Sequence, residues 1–151
     1  MKTRYIVGGI VGLAIVGVAY YGLSPLFRHI KVDEAAPLEQ TQTSGQNAAA
    51  PAQVLGTAGH PASGSAHIVR ADGKSYIRYE NLKTINGPDL YVYLSKDLNA
   101  KEFVSLGTLR ATEGNVNYEI PAGVEPKDYR YVLTWCKQFG VLFNSADLLP
   151  R

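Results

Sequence analysis

Two hydrophobic patterns divide the chain. Tyr5–Leu23 is an apolar stretch without a charged residue, whereas the C-terminal part alternates apolar and polar positions in short runs. About 20 apolar residues are enough to cross a bilayer as a helix. Alternation with a period of two is typical of strands that bury one face. The patterns therefore predict one N-terminal helix followed by β structure.

The N-terminal stretch predicts an uncleaved membrane anchor. Lys2 and Arg4 precede it, and no small-residue cleavage site follows it, which disfavours the alternative of a cleaved signal peptide. We expect residues 1–31 to form a single-pass anchor, with a cytoplasmic N-terminus and the remaining chain in the periplasm or outside the cell. Gly8 and Gly12 form a GxxxG pattern, a weak signal for pairing of two such helices.

Residues 32–62 differ in composition from both of their neighbours. They are rich in Ala, Gln, Thr, Ser, Gly and Pro, and they contain no aromatic residue. Such a segment buries too little apolar surface to offset its ordering entropy, so we expect a flexible, disordered linker. His60 lies in it and is expected to be a solvated loop residue.

Residues 63–149 predict an all-β domain. About eight short runs with strand periodicity are separated by turn residues, a spacing that favours an antiparallel β-sandwich or barrel. Asp72-Gly73 predicts a hairpin turn, and Gly107 predicts a bulge. In the run that follows Asp72-Gly73, Ile77 and Tyr79 are expected to point inward. The predicted strands are Ser65–Arg70, Ser75–Leu82, Leu90–Ser95, Phe103–Leu109, Val116–Ile120, Tyr129–Cys136 and Val141–Leu148.

The run Tyr131–Phe143 contains the only cysteine, Cys136, and the only tryptophan, Trp135. A period of two separates Tyr131, Leu133 and Trp135 from Val132, Thr134 and Cys136. Because the first set is larger and more apolar, we expect it to face the core, with Trp135 inside. Cys136 then lies on the mixed face, as an accessible thiol or as a small buried hydrophobe.

Composition excludes several classes of function. Net charge is +2 without a basic block, which argues against nucleic-acid binding. One cysteine excludes an internal disulfide. Structural zinc sites use several Cys or His ligands, and besides Cys136 the chain has only His29, His60 and His67. No hydrolase or transferase constellation is present, so an enzymatic role stays uncertain, with a redox or electron-transfer component as the option left open.

Four motifs, in order, resemble one known family. Asn86-Gly87-Pro88-Asp89-Leu90-Tyr91-Val92-Tyr93-Leu94-Ser95 is similar to the most recognisable motif of the DM-thirteen domain family. The segment from Ser63 to Leu82 resembles its opening, and Asn117–Pro121 and Trp135–Phe143 resemble its later motifs. The resemblance covers about residues 64–148.

The resemblance implies a β-rich extracytoplasmic domain that takes part in electron transfer. It places the redox centre at Cys136, either bare or through a bound prosthetic group such as haem or copper, for which the thiol is a possible ligand. Trp135, Asp89, Tyr91 and Tyr93 are weaker candidates for cofactor binding or electron relay. Expected partners are the membrane and a separate redox or haem-bearing protein. The alternative is a non-catalytic cell-surface binding or structural module in which Cys136 is inert core.

Overall fold

A computed structural model describes residues 2–23, 29–37 and 51–149. Within these ranges one α-helix precedes ten strands, and a short 3-10 turn, Pro126–Asp128, leads into the ninth strand. The helix and strands are α1 (Lys2–Leu23), β1 (Lys31–Asp33), β2 (Ala52–Gln53), β3 (Leu55–Gly56), β4 (Ala62–Ala71), β5 (Lys74–Thr84), β6 (Leu90–Ser95), β7 (Phe103–Thr108), β8 (Glu113–Ile120), β9 (Tyr131–Cys136) and β10 (Val141–Asp147).

The strands form two sheets that do not close into a barrel. The first sheet has the order β1-β8-β5-β4-β2, and the second has the order β3-β10-β9-β6-β7. All neighbouring strands are antiparallel except β1 and β8, which are parallel. The main core fills the space between the sheets and contains, among others, Ile77, Tyr79, Val92 and Val132. The mostly β, antiparallel sandwich prediction is therefore confirmed in its coarse form.

Several local predictions agree with the structure. Asp72 and Gly73 have φ angles of 51° and 74°, as a two-residue hairpin turn between β4 and β5 requires. Ile77 and Tyr79 are buried at 0% and 1% exposure, so β5 points its apolar positions inward. The β6–β7 register shifts beside Gly107, where a bulge was expected. These features depend on near neighbours in the chain, which is why the pattern of residues predicts them.

The predicted N-terminal helix forms over Lys2–Leu23. Its side chains from Tyr5 to Tyr21 are exposed along the whole length. No helix in the part of the chain that the structure describes has both the length and the apolar character needed to cross a membrane.

The segment expected as a linker is ordered at both ends, which corrects the expectation of disorder there. Residues 38–50 lie outside the described residues. At the N-terminal end of this segment β1 pairs with β8. At its C-terminal end β2 pairs with β4, and β3 pairs with β10. The short segment from β2 to β3 therefore contributes a strand to each sheet, and Val54 between them is 3% exposed. Strands of two residues are too short to show a periodic pattern in the sequence. Their pairing with distant strands holds them in place.

Polar contacts hold β1 against the first sheet. Ile30 and Thr112 exchange backbone and side-chain hydrogen bonds of 2.8 Å. After β1, the Glu34 carboxylate forms an ion pair with Arg110 at 2.8 Å and accepts the Asn117 N–H at 2.8 Å. The chain is thus fixed to the domain seven residues after α1 ends, rather than at the end of a long tether.

The two faces of β9 are reversed relative to the prediction. Val132, Thr134 and Cys136 are fully buried between the sheets, whereas Trp135 is half-buried on the outer face of the second sheet. Leu133 is also fully buried, but on the outer side, where it pairs in register with Tyr93. The space between the sheets takes the smaller side chains, and the large aromatic ones cover the outer face.

We predict that Gly114→Ala is more destabilising than Gly107→Ala. The two glycines have nearly equal φ angles, 108° and 106°, so both substitutions cost about 1–2 kcal/mol of backbone strain. A Cβ at Gly114 would also overlap the carbonyl of Val32 in β1, whereas a Cβ at Gly107 meets nothing within 4 Å. Overpacking of this kind adds about 1–3 kcal/mol. Denaturant unfolding measures the difference, and equal losses would mean that β1 does not dock as described.

Candidate functional site around Cys136

Cys136 ends β9 in an apolar pocket at one end of the sandwich. Its side chain is 0% exposed and packs with Leu90 and Phe143, while Ile85 and Leu109 close the cluster. Leu90 is its register partner on β6. Strand pairing thus brings the cysteine against residues that are distant in the chain. The result is a reduced thiol surrounded by carbon atoms.

The loop Asn86–Asp89 closes this pocket. A Cβ at Gly87 would lie 3.1 Å from both Leu90 Cδ2 and Phe143 Cζ, so the glycine permits a close approach of the loop backbone. At the end of the loop, the Asp89 carbonyl accepts a 2.9 Å hydrogen bond from the Lys137 N–H. The two motifs that carry the family resemblance, one at residues 86–95 and one at residues 135–143, therefore meet at the cysteine.

His60 is part of this end of the domain, which corrects its assignment as a solvated loop residue. Its ring stacks on Phe143 with centroids 3.9 Å apart. Its Nδ1 lies 3.0 Å from Thr57 Oγ1, whose hydroxyl donates to the Leu142 carbonyl at 2.9 Å. Sequence periodicity gives no signal for this contact, since strand β3 is two residues long.

A second feature missed by the sequence analysis is a buried polar cluster beside the thiol. Thr134 lies two residues before Cys136 on the same face of β9, which is a spacing of about 7 Å. Its register partner Asn144 donates from Nδ2 to Thr84 Oγ1 at 3.0 Å. Within the described residues, Asn144 Oδ1 has no hydrogen-bond partner, and the hydroxyls of Thr134 and Tyr79 have only each other. Their contact is too loose for a well-formed hydrogen bond, but it partly offsets the rise in the pKa of Tyr79.

Burial controls the ionisation of two core tyrosines. It raises the pKa of Tyr79 far above its ordinary value, and the nearby Tyr118 adds to the shift. It also raises the pKa of Tyr118, although the Arg110 N–H donates to that hydroxyl at 2.9 Å and partly offsets the effect. Both rings therefore stay neutral over the physiological pH range.

The aromatic candidates come together on the opposite face of the same strands. Trp135 and Tyr91 are register partners on the outer face of the second sheet. Tyr93 lies between Tyr91, with centroids 6.1 Å apart, and Phe103, with centroids 4.1 Å apart. Burial raises the pKa of Tyr93, and the neighbouring Tyr91 raises it further. The negative charge of Asp89, which precedes this face in the chain, is a third and smaller cause of the same shift. Cys136 is thus separated from these side chains by the thickness of one strand.

The surroundings of Cys136 do not fit a haem or a copper ion. Apolar side chains surround the sulfur, and they offer no second ligand. No group of three or more His, Cys, Asp and Glu residues is placed to hold a metal in the described ranges. Two surface cavities are lined partly by Arg70, Lys74 and Glu125 and by His29, Lys83 and Glu113, and Cys136 lines neither of them. The surroundings therefore suit a bare thiol rather than a thiolate ligand of haem iron or copper.

Comparison with known families decides the relationship. Residues 54–148 match the family described as Electron transfer DM13. The chain belongs to this DM13 electron-transfer family. The match begins nine residues before Ser63, where the predicted opening motif starts, and it includes β3 and His60, in agreement with their place in the fold. No curated protein and no solved structure matches the chain.

We predict that the native DM13 domain resists thiol reagents. Because Cys136 is fully buried, labelling should be slow in native buffer and fast once denaturant unfolds the domain. Cys136→Ser should lower the free energy of unfolding by about 1–3 kcal/mol, because it leaves a hydroxyl among apolar side chains. Cys136→Ala is the matched control without a buried hydroxyl. Rapid native labelling would contradict the packing described above.

We also predict opposite effects for two Tyr→Phe substitutions at neutral pH. Tyr79→Phe removes a buried hydroxyl whose only polar contact is the loose one with Thr134, and it should be neutral or stabilising. Tyr118→Phe loses the hydrogen bond from the Arg110 N–H and should cost about 1 kcal/mol. Denaturant unfolding of both variants beside the wild-type chain measures the two effects.

The same variants test the alkaline pH dependence. The folded-state pKa values of both tyrosines are raised, so their contribution to stability is constant below the unfolded value of about 10. It falls above that pH, where only the unfolded chain loses these protons. Each tyrosine contributes a slope of up to about 1.4 kcal/mol per pH unit. Either variant should flatten this slope, and an unchanged slope in Tyr79→Phe would contradict the burial of that hydroxyl.

Proposed function

We propose that this domain transfers single electrons outside the cytoplasm and that the sulfur of Cys136 is the relay. The observation that carries the proposal is the junction at Trp135-Cys136. The sulfur is sealed inside, and the adjacent indole is half-buried on the outer face against Tyr91. Membership of the electron-transfer family supports the reaction class.

Burial favours electron transfer over thiol exchange. A thiolate that attacks a disulfide must reach its sulfur directly, and a fully buried thiol among Leu90 and Phe143 is not reachable. An electron needs no such contact, since it passes between neighbouring groups. Trp135 and Cys136 are consecutive residues, with Cα atoms about 3.8 Å apart. The strand that hides the sulfur also places it next to an oxidisable ring.

The proposed step is one-electron oxidation through the indole. An external oxidant takes one electron from Trp135 and leaves an indole radical cation. Cys136 then gives one electron to the indole, which restores it. The thiol proton reaches water only when the Asn86–Asp89 loop opens, and the sulfur becomes a thiyl radical. An external reductant returns one electron to the sulfur, and one proton restores the thiol. Tyr91, the register partner of Trp135, and Tyr93 beside it continue the row of aromatic rings along the outer face of the sheet.

Flash photolysis tests this step on the full chain. Photogenerated tris(bipyridine)ruthenium(III) oxidises Trp135, and transient absorption follows the indole radical. If Cys136 supplies an electron, the radical should decay at least about tenfold more slowly in Cys136→Ala, a change equal to 1.4 kcal/mol of activation free energy. Tyr76→Phe on the outer face of the first sheet is the control and should leave the decay unchanged. Equal lifetimes in wild type and Cys136→Ala would reject the sulfur as relay.

The second candidate function is a binding or structural module in which Cys136 is only core packing. The complete burial of the thiol among apolar side chains favours it, because most free cysteines behave as small hydrophobes. In this case Cys136→Ala retains the wild-type radical lifetime. The photolysis experiment therefore separates the two candidates.

The location of the domain is the second part of the proposal. The basic residues Lys2 and Arg4 before the uncharged stretch Tyr5–Leu23 support a cytoplasmic N-terminus and an exported domain attached to a membrane. Protease added outside intact cells or spheroplasts should release the β domain from the full chain. Protection of the domain under these conditions, with cleavage only after lysis, would place it in the cytoplasm. Pairing of two chains through Gly8 and Gly12 stays a prediction.

A further inference from the structure

A β-bulge in β10 sets the direction of Phe143, the aromatic wall of the Cys136 pocket. Leu142 and Asn144 pair with consecutive residues of β9, so Phe143 between them has no partner on that strand. In a regular strand, Phe143 and Asn144 would point to opposite faces of the sheet. Here Phe143 packs with Cys136 and Asn144 donates to Thr84 of the other sheet, so both point inward. The extra residue of the bulge therefore brings the phenyl ring to the sulfur.

The turn of residues 57–60, which we call the clasp, holds the backbone of this bulge. The Thr57 N–H donates to the Phe143 carbonyl at 3.0 Å, and the Thr57 hydroxyl donates to the Leu142 carbonyl at 2.9 Å. A bulge disrupts the hydrogen-bond ladder with the neighbouring strand. Thr57 thus supplies partners to two carbonyls at the point where the ladder between β9 and β10 is interrupted.

His60, at the other end of the clasp, covers the ring of Phe143. The two rings stack with centroids 3.9 Å apart. His60 Nδ1 lies 3.0 Å from Thr57 Oγ1, and the His60 N–H donates to the Thr57 carbonyl at 2.9 Å. Gly56 permits this tight turn, because a Cβ there would lie 2.3 Å from the His60 carbonyl oxygen. The clasp therefore contacts both the backbone and the ring of Phe143.

The clasp and the Asn86–Asp89 loop meet at the same phenyl ring. A Cβ at Gly87 would lie 3.1 Å from Phe143 Cζ, so the backbone of the loop is in close contact with the ring. Movement of Phe143 would remove a wall of the pocket and the surface against which the loop closes. The clasp is a short turn that follows a strand of two residues. Its release breaks few contacts, and it can occur without unfolding of the sandwich.

We propose that the clasp is the gate of the thiol. Its release from Phe143, rather than unfolding of the domain, sets how often Cys136 meets water. His60 is therefore a positioning residue that acts on the sulfur through Phe143. This access is a property of the fold and does not require electron transfer. Its consequence for the relay rests on the proposed function, in which opening of the clasp would set the rate at which the thiol proton leaves.

Labelling of the full chain with N-ethylmaleimide, without denaturant and at one pH, tests the gate. The rate is measured by mass spectrometry where it rises in proportion to reagent concentration, so that it reports the population of the open state. His60→Ala should label about tenfold faster than wild type, the size expected for loss of an aromatic stack and a hydrogen bond. His60→Phe keeps a ring on Phe143 and should restore most of the protection.

Tyr118→Phe is the matched control. Tyr118 belongs to the main core rather than to the cluster around Cys136, and its substitution removes the hydrogen bond from the Arg110 N–H. Denaturant unfolding should show a lower midpoint for this variant, while its labelling rate without denaturant stays at the wild-type value. If circular dichroism shows that His60→Ala does not fold, Thr57→Val replaces it, since it loses the hydroxyl and keeps the backbone bond to Phe143.

Three results would overturn the proposal. The first is equal labelling of wild type and His60→Ala, or of wild type and Thr57→Val where that variant is used. The second is equal acceleration in Tyr118→Phe, because unfolding of the domain would then be the route to the thiol. The third is labelling of His60→Phe as fast as His60→Ala, because the stacked ring would then not hold Phe143. Equal radical lifetimes in wild type and Cys136→Ala would reject the relay and leave the gate in place, so the two proposals fail separately.

Discussion

The burial of Cys136 between Leu90 and Phe143 is the contact on which the rest of the site depends. It requires the Asn86–Asp89 loop to close over the pocket, and Gly87 permits that closure because its missing side chain lets the backbone come close to both neighbours. The loop also accepts a hydrogen bond, from the Lys137 N–H to the Asp89 carbonyl. Two distant motifs of the sequence are therefore one structural unit with the sulfur at its centre.

Sealing the sulfur restricts its chemistry. Attack by the thiol on another sulfur and ligation of haem or copper both require approach to an atom that apolar side chains surround. Electron exchange through the adjacent Trp135 needs no approach, and the reversed faces of β9 make it feasible. If Trp135 faced the core as the sequence pattern predicts, Cys136 would point to the outer face, and the thiol would not depend on the ring for electron exchange.

Local order could be predicted from the sequence, and long-range order could not. The Asp72-Gly73 turn and the inward positions of β5 follow from neighbouring residues, so periodicity and turn chemistry suffice. The predicted faces of β9 are wrong because large side chains do not mark the core of this domain: the gap between the sheets takes the smaller Val132, Thr134 and Cys136. The docking of β1 rests on contacts between residues 82 positions apart, such as Ile30 and Thr112, which no local pattern encodes. His60 was missed for the same reason.

The most direct test of the central claim is to find where the unpaired electron rests after one-electron oxidation. Electron paramagnetic resonance of the full chain, oxidised photochemically and frozen at increasing delays, distinguishes an indole radical from a sulfur-centred one. Our account predicts an early Trp135 signal that is replaced by a sulfur-centred signal, and only the early signal in Cys136→Ala. A radical that stays on Trp135 or on the outer-face tyrosines Tyr91 and Tyr93 in the wild-type chain would contradict it.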